Sequence, residues 1–186
     1  MISTRQKIVV IADQLIRSKG YNAFSYADIA STLKIKNAAI HYHFQSKAVL
    51  GKAVIVATRE KFNENTIKWA SYSFYDQIVA FVEMYSHNSK NNCICFMGAL
   101  GSSFNTLPMD MQNELIAAHE EITIWLIDKL NKGKQNGELE FKETPEEMSD
   151  LITSGMLASL ILQRVSKQDV LDNVSKILLK RISKMN

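Results

Sequence analysis

Apolar positions recur every three or four residues along most of this chain, and the polar interruptions between them are short. Ile8, Ile11, Ala12, Leu15 and Ile16 share one helical face, which predicts a first helix over about 3 to 18. Gly20 supplies its left-handed stop. Ser25 caps a second helix, with Asp28 three residues on in a near capping-box arrangement and Ile29, Ala30 and Leu33 as the buried stripe. Lys34-Ile35-Lys36 is long enough only for a turn, plugged by Ile35. A third helix follows from about Asn37 to Phe44, with Ile40 and Phe44 inward at i, i+4. Gln45-Ser46 breaks the run. Ser46 then caps a long fourth helix through Val49, Leu50, Ala53, Val54 and Ala57 to about Trp69.

The remainder follows the same period. Roughly 75–88 is amphipathic through Ile78, Phe81, Val82 and Tyr85, and Asn88 to Asn92 is a polar break. Residues 94–104 are apolar and small. A helix start just before Cys93 fits the polar lead-in Ser89-Lys90-Asn91-Asn92. Pro108 opens a helix through Leu115, Ile122, Trp125, Leu126 and Leu130. Lys132 to Glu140, with Gly133 and Gly137, is predicted as a polar turn. Thr144-Pro145-Glu146-Glu147 combines a cap, a first-turn proline and two acids at the positive end of the helix dipole, so a helix is expected to about Arg164. A last helix follows Ser166, through Val170, Val174, Ile177 and Leu178, to near Lys184. No repeat or low-complexity tract interrupts the pattern.

Composition sharpens this into an all-α fold. Proline (2) and glycine (7) are scarce, and a hydrophobic content of 46% is enough for a real core. No apolar run approaches the ~18 residues of a membrane helix. The start, Met1 to Lys7, is polar with no apolar stretch after it, so no signal peptide is expected. Cys93 and Cys95 sit too close together for a disulfide framework, which fits reduced thiols in a cytoplasm. The net charge of +3 is uneven: residues 1–50 hold Arg5, Lys7, Arg17, Lys19, Lys34, Lys36 and Lys47 against Asp13 and Asp28, a net +5. A basic first quarter on a mildly acidic body points to a polyanion partner for that quarter.

Two short helices with a tight turn, followed by a third, are how a chain presents one helix to a DNA groove. The residues Ser25, Asp28-Ile29-Ala30, Ile35-Lys36, Ile40-His41-Tyr42-His43-Phe44 and Ser46-Lys47 together resemble the N-terminal motif of the TetR/AcrR family of bacterial regulators. The family's usual run is a Thr or Ser cap, Asp-Ile-Ala, a Val-Ser turn, Leu-Tyr-x-His-Phe and Ser-Lys. Lys36 stands where the family often has Ser, and His41 where it usually has Tyr. The resemblance implies a helix-turn-helix DNA-binding domain over 1–47 and a helical ligand-binding and dimerisation domain over 48–186.

Groove chemistry assigns the rest. The second helix of a helix-turn-helix reads bases from its N-terminal residues, here Asn37, Ala38, Ala39 and His41. Asn37 can pair two-point with an adenine edge, and alanines can touch thymine methyls. Ser25, Tyr42 and Lys47 would hold phosphates, and Lys36 would add a phosphate or guanine contact. Phe44 is core; His43 fits packing and DNA contact equally. His41 and His43 point ~200° apart on a helix, which argues against shared metal ligation.

For the second domain, the last two helices are the expected homodimer seam. Gly155 and Ala158, with Ser154 and Ser159, allow close approach, and Ile161, Leu162, Val174, Ile177 and Leu178 add apolar area. An apolar ligand pocket is expected from Phe81, Met84, Tyr85, Phe96, Met97, Phe104 and Trp125, with polar contacts from Tyr85, His119 and Gln163. Met-rich lining would suit a small apolar or electrophilic inducer. Cys95-Phe96-Met97-Gly98 partly matches a Gly-Cys-x-x-Gly stretch of thiol-responsive members of the family, which makes Cys95, with Cys93, either a redox sensor or an inert buried pair. No cofactor and no metal are expected, nor a membrane partner.

These readings predict a repressor that binds a palindromic operator on double-stranded DNA and is released by an inducer. An activating or constitutive regulator shares the same features. A helical interaction module that does not bind DNA would have no need of the basic first quarter. An enzyme is disfavoured: Gly101-Ser102-Ser103 lacks the flanks of a nucleophile elbow, and Glu120-Glu121 and Glu146-Glu147 look like solvated or helix-start charges.

Overall fold

Helix starts in this chain coincide with short polar side chains that take up free backbone N–H groups. Ser3 accepts from Gln6 N at 3.2 Å, Ser46 from Val49 N at 3.2 Å, Ser73 from Asp76 N at 3.0 Å and Thr144 from Glu147 N at 3.1 Å. Thr144 and Glu147 complete a reciprocal capping box, Glu147 accepting from Thr144 N at 2.9 Å. The structure is a computed structural model describing residues 2–166 and 168–184. Met1, Lys167, Met185 and Asn186 lie outside the described residues, and so do the outer ends of the two expected domains at 1 and 186.

The helices are α1 (Thr4–Lys19), α2 (Tyr26–Leu33), α3 (Asn37–His43), α4 (Lys47–Trp69), α5 (Phe74–Lys90), α6 (Phe96–Gly101), α7 (Met109–Gln135), α8 (Pro145–Val165) and α9 (Val170–Ile182). Among the described residues there is no strand, only an isolated antiparallel bridge between Leu139 and Ser183. The all-α expectation therefore holds. The helices fall into two compact units: the chain to Phe62 with Phe96–Ala118, and Asn63–Cys95 with the chain from His119 onward. Both α4 and α7 contribute residues to each unit.

In the first unit, α1 packs on α2, α3 and α6. Its core is Ile8, Ala12, Ile16, Ile29, Ile40, Phe44, Leu50 and Ile55, all at most 1% exposed. Arg17 ties three helices together. Its guanidinium pairs with Asp13 at 2.7 Å, donates to Thr58 at 3.3 Å and lies 5.6 Å from the Phe96 ring centroid. On α4, Gly51 faces Met111 so closely that a Cβ there would lie 2.6 Å from the methionine methyl. Arg59 pairs with Glu114 beside that contact.

In the second unit, α8 and α9 pack closely, and a Cβ at Gly155 would lie 3.3 Å from Leu178 Cδ1 and 3.5 Å from Val174 Cγ1. Met148, Ile152 and Met156 of α8 meet a core that includes Ile78, Leu126, Leu130 and Ile182, each at most 1% exposed. Trp125 sits between two other rings, with its centroid 5.7 Å from Trp69 and 5.8 Å from Phe81.

Three boundaries differ from the sequence expectations. Gly133 belongs to the last turn of α7 rather than to a polar turn. It is buried, because Leu139 folds back over it. Both cysteines precede a helix that begins only at Phe96, since Asn92 adopts a left-handed conformation (φ 53°) that delays it. The last helix, expected to run to near Lys184, ends at Ile182; Asp169 caps its start and accepts from Asp172 N at 3.2 Å.

Candidate nucleic-acid interface

The turn between α2 and α3 places the candidate surface. Lys34 ends α2 in the left-handed region (φ 54°, ψ 43°), and Ile35 N donates to Ala30 O at 3.0 Å. The chain then re-enters a helix at Asn37 with Lys36 as its cap residue. Ile40 and Phe44, both fully buried, pin α3 to the core. The opposite face is bare: Lys36, Asn37, Ala38, His41 and Tyr42 are exposed, Tyr42 at 85%, while Ala39 and His43 are half-buried. Leaving a tyrosine so open forgoes the burial that aromatic side chains normally obtain.

Around this face the contacts are specific. Tyr26, at the first position of α2, donates its hydroxyl to Phe44 O at 3.0 Å, and its ring meets His41 edge-on at 4.7 Å. Burial pushes its phenol up, with Tyr21 adding to the effect. Tyr26 went unnoticed in the sequence because both its contacts bridge 15 residues or more, and only its aromatic character at a helix start hinted at them. Tyr42 lies against His43 at 5.2 Å, which gives His43 a packing role on the solvent side. Arg5 lies over the Phe44 ring at 4.9 Å.

Ser25 and Lys47 are both engaged within the fold. Asp28 accepts from Ser25 Oγ at 2.7 Å and from Ser25 N at 2.8 Å, and pairs with Lys19 at 3.3 Å. The Ser25 hydroxyl, the Ser25 amide and then Lys19 hold the Asp28 carboxyl down to about 2. Lys47 donates to Phe24 O at 2.5 Å and lies over the rings of Phe24 (4.3 Å) and Tyr21 (5.0 Å). Burial lowers its pKa, while Asp28 opposes that shift.

The expected ligand-pocket residues are divided between the units. Phe96, Met97 and Phe104 belong to the first, and Phe81, Met84, Tyr85, His119, Trp125 and Gln163 to the second. Phe81 and Phe96 are buried, and His119 is exposed on α7. Tyr85 meets Phe81 at 5.8 Å, and burial, with the Cys95 thiol nearby, raises its phenol. Gln163 bridges Ser89 (2.8 Å) and Leu171 N (2.9 Å) beside a cavity of about 150 Å³. That cavity is also lined by Asn92, Cys93, Leu160 and Arg164. Cys93 and Cys95 are both buried, and neither is in a disulfide. No group of three or more His, Cys, Asp or Glu among the described residues could hold a metal ion, and no described helix is long and apolar enough to cross a membrane.

The expected dimer residues separate into two sets. Gly155, Val174 and Leu178 pack α8 against α9 within the chain. Ala158, Ile161, Leu162 and Ile177 face outward, the last three at 44%, 51% and 64% exposure. Leu151 (42%) and Val165 (83%) extend the apolar stripe on α8 and were missed in the sequence, although their spacing from Ala158 continues its face.

Comparison with known proteins agrees with this geometry. The family model for bacterial regulatory proteins of the tetR family matches residues 8–54, the span from α1 into α4. Among proteins of curated function, none matches the sequence. A TetR transcriptional regulator from Legionella pneumophila is 30% identical, with 98% of this chain and 99% of that one covered and a TM-score of 0.88. A TetR-family regulator from Agrobacterium tumefaciens is 24% identical over 97% of each chain, with a TM-score of 0.89. The reduced form of E. coli NemR shares the fold at 17% identity over 98% of each chain, with a TM-score of 0.82. With α3 pinned on one face and bare on the other, and a relative of this identity along its whole length, the chain belongs to the TetR family of DNA-binding transcriptional regulators.

Proposed function

We propose that this regulator is a repressor that binds a palindromic operator as a homodimer and leaves it when an inducer binds. Residues 1–47 would bind DNA, and 48–186 would sense the inducer and dimerise. The observation that carries the reading is α3: Ile40 and Phe44 are fully buried while Asn37, Ala38, His41 and Tyr42 all face solvent. One helix thereby offers an amide, a methyl, an imidazole and a phenol to a major groove about 12 Å wide. Ser25, Lys36, Ala39 and His43 complete the proposed contact set.

Dimerisation is supported by the outward stripe of Leu151, Ala158, Ile161, Leu162 and Val165 on α8 with Ile177 on α9. An apolar row of this length on a water-soluble surface calls for a partner, and a second copy would set two α3 helices one DNA turn apart, about 34 Å. The inducer would be a small apolar or thiol-reactive molecule received near Trp125, Phe81 and Tyr85, and its binding would oppose DNA binding reciprocally.

Fluorescence anisotropy against tiled duplexes from the neighbouring genome tests the reading. One tile bound far more tightly than the rest, with steep salt dependence, is the expected result. On that tile Tyr42→Ala should weaken binding about tenfold or more, through loss of a phosphate contact and its aromatic packing, with an unchanged circular dichroism spectrum. Equal weak binding to every tile would overturn the site-specific reading.

A further inference from the structure

Tyr26, the first residue of α2, makes two contacts that together reach across the turn to the bare face of α3. Its hydroxyl donates to Phe44 O at 3.0 Å, and its ring meets the His41 imidazole edge-on, with 4.7 Å between centroids and 60° between planes. The anchor of this bridge is fixed: Phe44 is fully buried, and its N–H donates to Ile40 O at 2.8 Å. Burial raises the Tyr26 phenol, so the hydroxyl keeps the proton it donates. His41 itself is exposed, one residue after buried Ile40. Tyr42 pairs instead with His43 at 5.2 Å, so the ring that meets His41 comes from α2. Edge-on aromatic pairs favour one arrangement of two rings over others by about two- to tenfold.

A neutral imidazole has one N–H donor and one bare acceptor nitrogen. A half-turn of the ring puts a carbon where each nitrogen was. The N–H matches guanine N7 or O6, and the bare nitrogen matches the amino group of adenine or cytosine. A ring held in one orientation therefore discriminates between base pairs, whereas a ring free to turn tolerates several. We propose that Tyr26 is a positioning residue for base reading: its ring, anchored through Phe44 O, holds the His41 imidazole in one orientation, so that α2 sets the base preference of α3 at the pair His41 faces. The role rests on the DNA-binding reading of α3. A phosphate contact by Tyr26 or its neighbours would be independent of it, because phosphates carry no sequence information.

A base-pair scan of the operator separates this role from a general structural one. Duplexes with each base pair replaced in turn are ranked by anisotropy, and the position whose preference His41→Ala abolishes is the one His41 faces. Tyr26→Leu keeps apolar bulk and removes both the ring and the hydroxyl. It is expected to reduce the preference at that position by about two- to tenfold and to leave preferences elsewhere as in wild type. Added to His41→Ala, it should change no base preference at all. In the DNA-free protein, the NMR signals of the His41 ring protons should move on Tyr26→Leu, because an aromatic ring 4.7 Å away no longer shifts them.

Tyr26→Phe is the milder variant should the leucine protein fail to fold. It keeps the ring and loses the donor to Phe44 O, so it should lose part of the preference at the same position. A wild-type preference there in Tyr26→Leu, or in Tyr26→Phe if only that variant folds, overturns the role. So does an equal loss at every position, which would mark Tyr26 as a plain support of the fold. A loss that persists in the His41→Ala background overturns it too, as do unmoved His41 signals. If His41→Ala leaves every preference intact, His41 reads no base and the role falls. Each of these outcomes leaves site-specific binding standing, whereas a wild type that binds no site overturns the DNA-binding reading and this role together.

Discussion

Lys34 holds a backbone conformation that side chains with a Cβ avoid (φ 54°, ψ 43°) at the end of α2. Its side chain is exposed, so nothing visible offsets the strain. Lys34→Gly should therefore raise stability by about 1 kcal/mol in urea unfolding, with no change in the far-ultraviolet spectrum. Asp28 makes a second prediction. Its carboxyl is held near 2 in the folded protein against an ordinary 3.8, so the folded state favours the ionised form. The stabilisation is complete above about pH 4 and disappears as pH falls through about 2. Acid unfolding followed between those values should show a component that Asp28→Asn removes. At this scale the sequence was legible wherever an interaction is local. Ser25 with Asp28, Thr144 with Glu147 and inward Ile40 with Phe44 all follow from spacings of three or four residues. Lys47 on Phe24 and Tyr26 on Phe44 span 23 and 18 residues, and no periodicity marks such contacts.

Helices show a similar division. Their number and order follow from apolar period, but their ends depend on what folds over them. Gly133 reads as turn punctuation, yet it is the place where α7 passes under Leu139. A Cβ there would lie 2.5 Å from Leu139 Cδ1, 2.7 Å from Leu139 Cγ and 3.0 Å from Phe74 Cβ. Phe74 Cβ cannot swing aside as a side-chain tip could. Phe74 N is also fixed by Glu138 at 2.6 Å. Gly133→Ala, helix-favouring on propensity alone, should instead destabilise by roughly 1–3 kcal/mol through overpacking. A lowered thermal midpoint would confirm it; a raised one would show that Leu139 yields freely. The neighbouring Gly137 (φ 70°, open space around it) has a separate conformational reason to be glycine.

The outward row of Leu151, Leu162, Val165 and Ile177 had only partial expression in the sequence, because burial within one chain and burial between chains leave the same apolar period. Leu162→Glu places a charge in the middle of that row at a half-exposed position; on the homodimer proposed above it should halve the mass seen by light scattering while leaving helicity intact. Operator affinity should fall with it, since each half-site alone binds weakly. The aromatic cluster of the second unit has a different consequence. The chain has 2 tryptophans, and they are Trp69 and Trp125, 5.7 Å apart. Indole emission from this protein therefore arises from a single coupled pair, and α1, α2 and α3 contain no emitter of that kind. Light selectively absorbed by indole reports on one place far along the chain from Tyr42, so a change in its colour or polarisation when DNA is added would be the optical trace of one unit answering the other.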